Sequence, residues 1–133
     1  MGDSPVAQAA WIVERYHDWS DLTERPFEQA FSREELLDTA MIYVMTGAFH
    51  TSIRFYSAAM EAGLRSLPPD RRVEVPTAFA CFPDPLHPWP PRAYAEQGFN
   101  VSRWTVMPRG SHFAALEAPD LLIEDLRGWA RAT

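Results

Sequence analysis

His112 is the side chain in this sequence whose type and setting most directly suggest chemistry. It stands in Arg109-Gly110-Ser111-His112-Phe113, where Gly110 lets the chain turn sharply and present an imidazole. Imidazole is suited to taking up and returning a proton near neutral pH. A lone Gly-x-His pattern is equally compatible with a histidine that only satisfies a loop. Asp84, in Phe82-Pro83-Asp84-Pro85, is an acid that could accept from one ring nitrogen of His112 and leave the other free as a base. It is also readable as a solvated loop carboxylate. A zinc set drawn from His50, His87, His112 and Cys81 is disfavoured, because no pair has the short ligand spacing of zinc motifs. Cys81 lies inside an apolar run and reads as a small core residue rather than a nucleophile. Tyr16, Tyr43 and Tyr94 read as packing residues on helices. Met41, Met45 and Met60 form a stripe that reads as core, although a lid over an apolar substrate would have the same pattern.

The elements that must position these residues can be traced along the chain. Ser4-Pro5 is a helix start, a hydroxyl cap followed by proline at the first helical position, and apolar residues recur at helical spacing from Val6 to Tyr16. The helix is expected to run to about Trp19, and Ser20 to Pro26 breaks the pattern. Ser32-Arg33-Glu34-Glu35 is a capping box that opens a long helix. Gly47 marks a bend, and helix resumes to Gly63, a C-terminal stop. Ser66 to Asp70 reads as a turn. Residues 72–82 begin with alternation and become nearly all apolar, the pattern of a strand buried on both faces of a parallel sheet. Five of the 12 prolines fall between Pro83 and Pro91, which makes that stretch a stiff loop. A short helix from Pro91 to Gln97, closed by Gly98, leads to a second strand, Val101 to Met107. A final helix from Pro119 to about Arg131 carries Leu122, Leu126 and Trp129 on one stripe. Strand, loop-helix, strand and helix in succession is the pattern of a crossover unit in a parallel sheet. The loops after both strands then carry the acid and the histidine, at the end where open α/β folds keep their sites.

Composition bounds the function classes. The chain has 133 residues, 47% hydrophobic and 23% charged, so it is globular and offers no room for a second independent core. A formal charge of −6 with only 12 basic residues argues against a nucleic-acid partner. No apolar run approaches the roughly 20 residues that span a bilayer, and the N-terminus has no secretory pattern. A single cysteine fits a reducing compartment, so a cytoplasmic location is expected.

Several stretches also resemble one family, the microsomal-type epoxide hydrolases of the α/β-hydrolase superfamily. They are Asp3-Ser4-Pro5-Val6 with Ala9-Ala10-Trp11-Ile12, Phe31-Ser32 through Leu36-Leu37, and Thr46-Gly47 with Ser52-Ile53-Arg54-Phe55-Tyr56. Val75-Pro76-Thr77-Ala78-Phe79 with Phe82-Pro83, and Met107 through Glu117 with Pro119, complete the set, in order and nearly end to end. The order acid-then-histidine also fits the α/β-hydrolase succession of nucleophile, acid and histidine. The resemblance implies a partial α/β-hydrolase fold: a helical lid segment at 1–66, then the last two parallel strands and helices at 67–133. It implies hydrolysis of epoxides to vicinal diols through an alkyl-enzyme ester, with no metal or organic cofactor. His112 is then the general base, and Tyr56 a lid tyrosine that hydrogen-bonds the epoxide oxygen. The family's acid usually sits at the position of Pro85 here, so Asp84 is the nearest candidate. Ser111 stands where glycine is commoner.

The family's nucleophilic aspartate, its glycine-rich oxyanion loop and a second lid tyrosine have no counterpart in these residues. The chain is therefore expected to be inactive alone, its partners being a small apolar epoxide in the complete enzyme and a chain supplying the other half, or a homo-oligomer. A non-catalytic interaction protein that docks through its apolar sheet edge is the alternative. Two parallel strands do not make a self-sufficient sheet.

Overall fold

A computed structural model of the chain describes residues 3–62 and 71–132. The stop expected at Gly63, the turn from Ser66 to Asp70 and the expected junction at 66/67 lie outside the described residues. The described residues group into two compact units. One holds residues up to 18 and 25–62, and the other combines 19–24 with 71–132.

The first unit is helical. α1 (Pro5–Asp18) starts where Ser4 Oγ accepts from the Ala7 N–H at 3.3 Å. A single turn, α2 (Phe27–Ala30), precedes α3 (Arg33–Thr46). At α3 the expected capping box is complete: Ser32 Oγ accepts from Glu35 N–H at 3.2 Å, and Glu35 accepts from Ser32 N–H at 2.8 Å. Gly47, at φ 64°, ends α3 in a left-handed cap, and α4 (Phe49–Glu61) follows. Ile12, Phe31, Leu36, Ala40 and Phe49 are buried, with Trp11 edge-on to Phe49 and Tyr16 edge-on to Phe31. The methionine stripe departs from its expected core role: Met41, Met45 and Met60 are exposed, at 48%, 76% and 60%. The capping and bend signals fix where these helices lie, while which face each buries depends on neighbours the periodicity does not name.

In the second unit β1 (Val73–Cys81) and β2 (Phe99–Val106) pair in parallel, as the intervening loop and α5 (Arg92–Gly98) require. The register slips beside Pro76, which has no N–H to give. There Asn100 Nδ2 donates to Glu74 O at 3.0 Å and Ser102 Oγ to Thr77 O at 3.3 Å. The expectation that β1 is buried on both faces is not met. Residues 73–76 are exposed, 77–80 are intermediate and only Cys81 is buried. Among the described residues β1 has one neighbouring strand, so one edge and part of each face remain open.

α6 (Ala114–Glu117) and α7 (Pro119–Ala130) close the chain. Phe82, Met107 and Ala118 form the core under the strand ends, packed by Ala80, Ala114, Leu121 and Leu122. The stripe expected on α7 is rotated. Leu126 is half exposed, and the buried position is Asp125. Its Oδ1 accepts from Arg103 Nε and Thr105 Oγ1, both at 2.7 Å, and this polar anchor to β2 sets the helix's rotation. Gly128 leaves room for the Arg103 guanidinium, 3.2 Å from where a Cβ would stand. No helix among the described residues is long and apolar enough to cross a membrane.

Candidate functional site

The loops that follow β1 and β2 meet through two side chains. His112 Nδ1 lies 2.9 Å from Asp84 Oδ2, the distance expected of an acid that orients an imidazole. The Asp84 loop is stiff for visible reasons. Asp84 Oδ1 accepts from the Leu86 and His87 N–H groups at 2.8 and 3.2 Å, an Asx turn, and Trp89 Nε1 ties the loop back to Phe82 O at 2.7 Å. The turn occupies Oδ1 and leaves Oδ2 facing His112. Burial raises the proton affinity of the Asp84 carboxyl, but hydrogen bonds from the His112 ring and the two turn N–H groups outweigh it. They hold the group below the usual aspartate range.

The His112 loop is held by acids that the sequence reading passed over. Glu117 is buried, and its carboxylate accepts from the N–H groups of Asp21, Ser111 and Phe113 at 2.6, 3.1 and 3.0 Å. Asp21 Oδ2 accepts from Gly110 N–H at 3.1 Å. The main-chain carbonyl of Trp19 accepts from His112 N–H at 3.2 Å and from Ser111 Oγ at 2.9 Å. The Trp19 ring meets the imidazole edge-on at 4.8 Å, and Phe113 flanks it at 5.1 Å. Gly110 has φ 88°, and a Cβ there would lie 3.0 Å from Ala118 Cβ and 3.1 Å from a Phe82 ring carbon. The signal for Glu117 in the sequence was a carboxylate a few residues beyond a tight glycine loop, whose N–H groups need acceptors. The segment 19–24 had no local signal.

Of the other candidates, Tyr56 lies on α4 in the helical unit, 43% exposed, with Trp11 edge-on at 6.2 Å. Cys81 is buried; burial, with the Asp125 charge second, pushes its thiol up, which suits a packing residue. Of the disfavoured zinc set, His50 belongs to the helical unit, whereas Cys81, His87 and His112 belong to the other. The structure instead brings a different set together: Asp84, His87 and His112 each offer a ligand atom, all within 4.8 Å of one another.

An imidazole fixed on one nitrogen by a carboxylate, with a partly exposed ring, is the arrangement on which general-base chemistry can be built. No family model matches the chain. It is similar to epoxide hydrolase 1 of Sus scrofa, 36% identical over 133 residues, covering 96% of this chain and 29% of the relative. It is also similar to juvenile hormone epoxide hydrolase 2 of Ctenocephalides felis, 39% identical, covering 95% of this chain and 28% of that one. Among solved structures, the Aspergillus niger epoxide hydrolase superposes with a TM-score of 0.71 at 29% identity, covering 98% of this chain and 31% of the other. The chain thus spans less than a third of the length of each of these relatives.

Proposed function

Because the chain is homologous to the C-terminal part of the epoxide hydrolases, within the α/β-hydrolase superfamily, we propose that it carries the water-activating half of an epoxide-opening site. In this reading a carboxylate nucleophile outside these 133 residues attacks an epoxide carbon and the ring C–O bond breaks. The new alkoxide takes a proton from a lid hydroxyl, a role we assign to Tyr56. His112 Nε2 then removes a proton from water, whose oxygen attacks the ester carbonyl; the ester C–O bond breaks, the leaving diol oxygen takes the proton back from His112, and the proton on the released carboxyl returns to the Tyr56 phenolate. Asp84 keeps the proton of His112 on Nδ1 and stabilises the imidazolium that forms. Trp19 and Phe113 flank the ring and restrict its orientation. The substrate class is a small apolar epoxide.

The observation that carries this reading is the 2.9 Å contact between His112 Nδ1 and Asp84 Oδ2, made from loops after adjacent parallel strands. The test joins the 133 residues to the N-terminal part of a relative and offers styrene oxide. The parent hybrid is expected to turn over. A His112→Gln hybrid is expected to stop at a covalent ester visible by mass spectrometry, and the 133 residues alone to leave the epoxide intact. Turnover undiminished in the His112→Gln hybrid, or an ester formed on the chain alone, would overturn the assignment.

A further inference from the structure

His87 has no part in the reaction just described, yet it shares the site's carboxylate. Its Nδ1 lies 3.6 Å from Asp84 Oδ2, the same oxygen that holds His112 at 2.9 Å. The two imidazoles are 5.9 Å apart between centroids and inclined by only 32°. We propose that Asp84, His87 and His112 form a three-ligand site for a nitrogen-preferring divalent cation, Zn2+ above all, with a fourth position left to solvent.

Three features support it. Tetrahedral zinc with bonds of 2.0–2.1 Å sets its ligand atoms about 3.3 Å apart. The two distances from Asp84 Oδ2 fall on either side of that value, and no pair of the three ligand atoms exceeds 4.8 Å. The carboxylate is already aimed, because Oδ1 is committed to the turn N–H groups and only Oδ2 faces the rings. His87, with a side chain 64% exposed, has the freedom to close the remaining gap by rotating, on a loop that Pro85 and Pro88 keep in place. Two imidazole nitrogens and one oxygen suit zinc and its neighbours, whereas Mg2+ and Ca2+ prefer shells of oxygen.

Coordination through His112 Nδ1 displaces the proton that this nitrogen shares with Asp84, leaving the ring's single proton on Nε2. The metal therefore competes with the acid–base pair. That consequence for catalysis rests on the function proposed above, whereas the binding itself does not. Binding is read directly, by calorimetric titration of the chelator-treated 133-residue chain with zinc chloride and by histidine ring NMR in the same samples. One equivalent is expected to bind, moving the ring signals of His87 and His112 together. His87→Ala is expected to weaken binding at least about tenfold, since even groups that only support a ligand are worth that much. His50→Ala is expected to leave binding unchanged. Absence of saturable binding, binding indifferent to His87→Ala, or ring shifts confined to His17 or His50 would overturn the proposal. The ring signals of the unsubstituted chain decide the matter even if a variant fails to fold.

Discussion

Glu117 and Ser111 do different amounts of work around His112, and the difference is measurable. Glu117 places one buried negative charge on three backbone N–H groups from two segments. Hydrogen bonds to a charged acceptor contribute about 1.5–3 kcal/mol each, and stranding buried donors costs more than the bonds' net worth. Glu117→Gln replaces one acceptor oxygen with an NH2 that faces a donor. It is expected to lower stability by about 3 kcal/mol and to loosen the His112 ring, read by chemical denaturation together with ring NMR. Ser111→Gly removes one neutral bond to Trp19 O and should cost about 1 kcal/mol, with the ring held as before. Equal losses would show that the carboxylate is not the clamp. Asp84 adds a pH dependence whose sign is fixed. Its folded carboxyl titrates below the usual range, so its contribution is complete above the unfolded value of about 3.9 and is lost as pH falls through the folded one. The stability gap between parent and Asp84→Asn is therefore expected to shrink as pH falls below about 3.9. Denaturation midpoints at matched pH check this, and a gap that widens in acid would contradict it.

The elements were legible wherever a residue type dictates backbone geometry. Ser4-Pro5, the Ser32–Glu35 box and Gly47 marked helix ends that the structure places within a residue or so. The proline stretch separated two strands that could then pair only in parallel. What periodicity could not supply was orientation. Asp125, the buried residue of the helix, turns α7 toward Arg103 and Thr105 and leaves Leu126 half exposed. The short helices α2 and α6 had too few residues for a period to show. In the same way the Asp84–His112 pairing was legible because each residue follows a strand, while Glu117, Asp21 and Trp19 act through backbone groups from distant sequence. Gly110 belongs at this scale, since the loop from β2 to α6 turns on it. Gly110→Ala meets both a left-handed backbone and the 3.0 Å approach of Ala118. It is expected to destabilise by about 1–3 kcal/mol and to broaden the His112 ring signals. A melting temperature equal to the parent's would mean that the loop has another conformation open to it.

At the scale of the whole molecule, large apolar side chains stand exposed in both units. β1 pairs on one side only among the described residues, and Val73 and Val75 near its start are 39% and 66% exposed. At the other end of the strands, Trp89, Trp104, Val106 and Met107 line an open apolar cleft of about 410 Å³ with Cys81 and Phe82. In the helical unit Met45, Phe55 and Met60 are each at least 60% exposed. Buried apolar area stabilises by about 25 cal/mol per Å², so about 300 Å² left wet forgoes roughly 7 kcal/mol. That is comparable to the whole 5–15 kcal/mol or so that holds an ordinary domain together. An unpaired parallel strand is at the same time a template for another strand. The 133-residue chain is therefore expected to self-associate through the free edge of β1 and to melt broadly. Sedimentation should show a concentration-dependent dimer or larger species. A charge placed on that edge by Val75→Lys should shift it toward monomer without restoring a sharp melt. A monodisperse parent with a steep cooperative transition would mean that these residues are self-sufficient, and would turn the balance toward a small non-catalytic protein that uses the same surface to hold a partner.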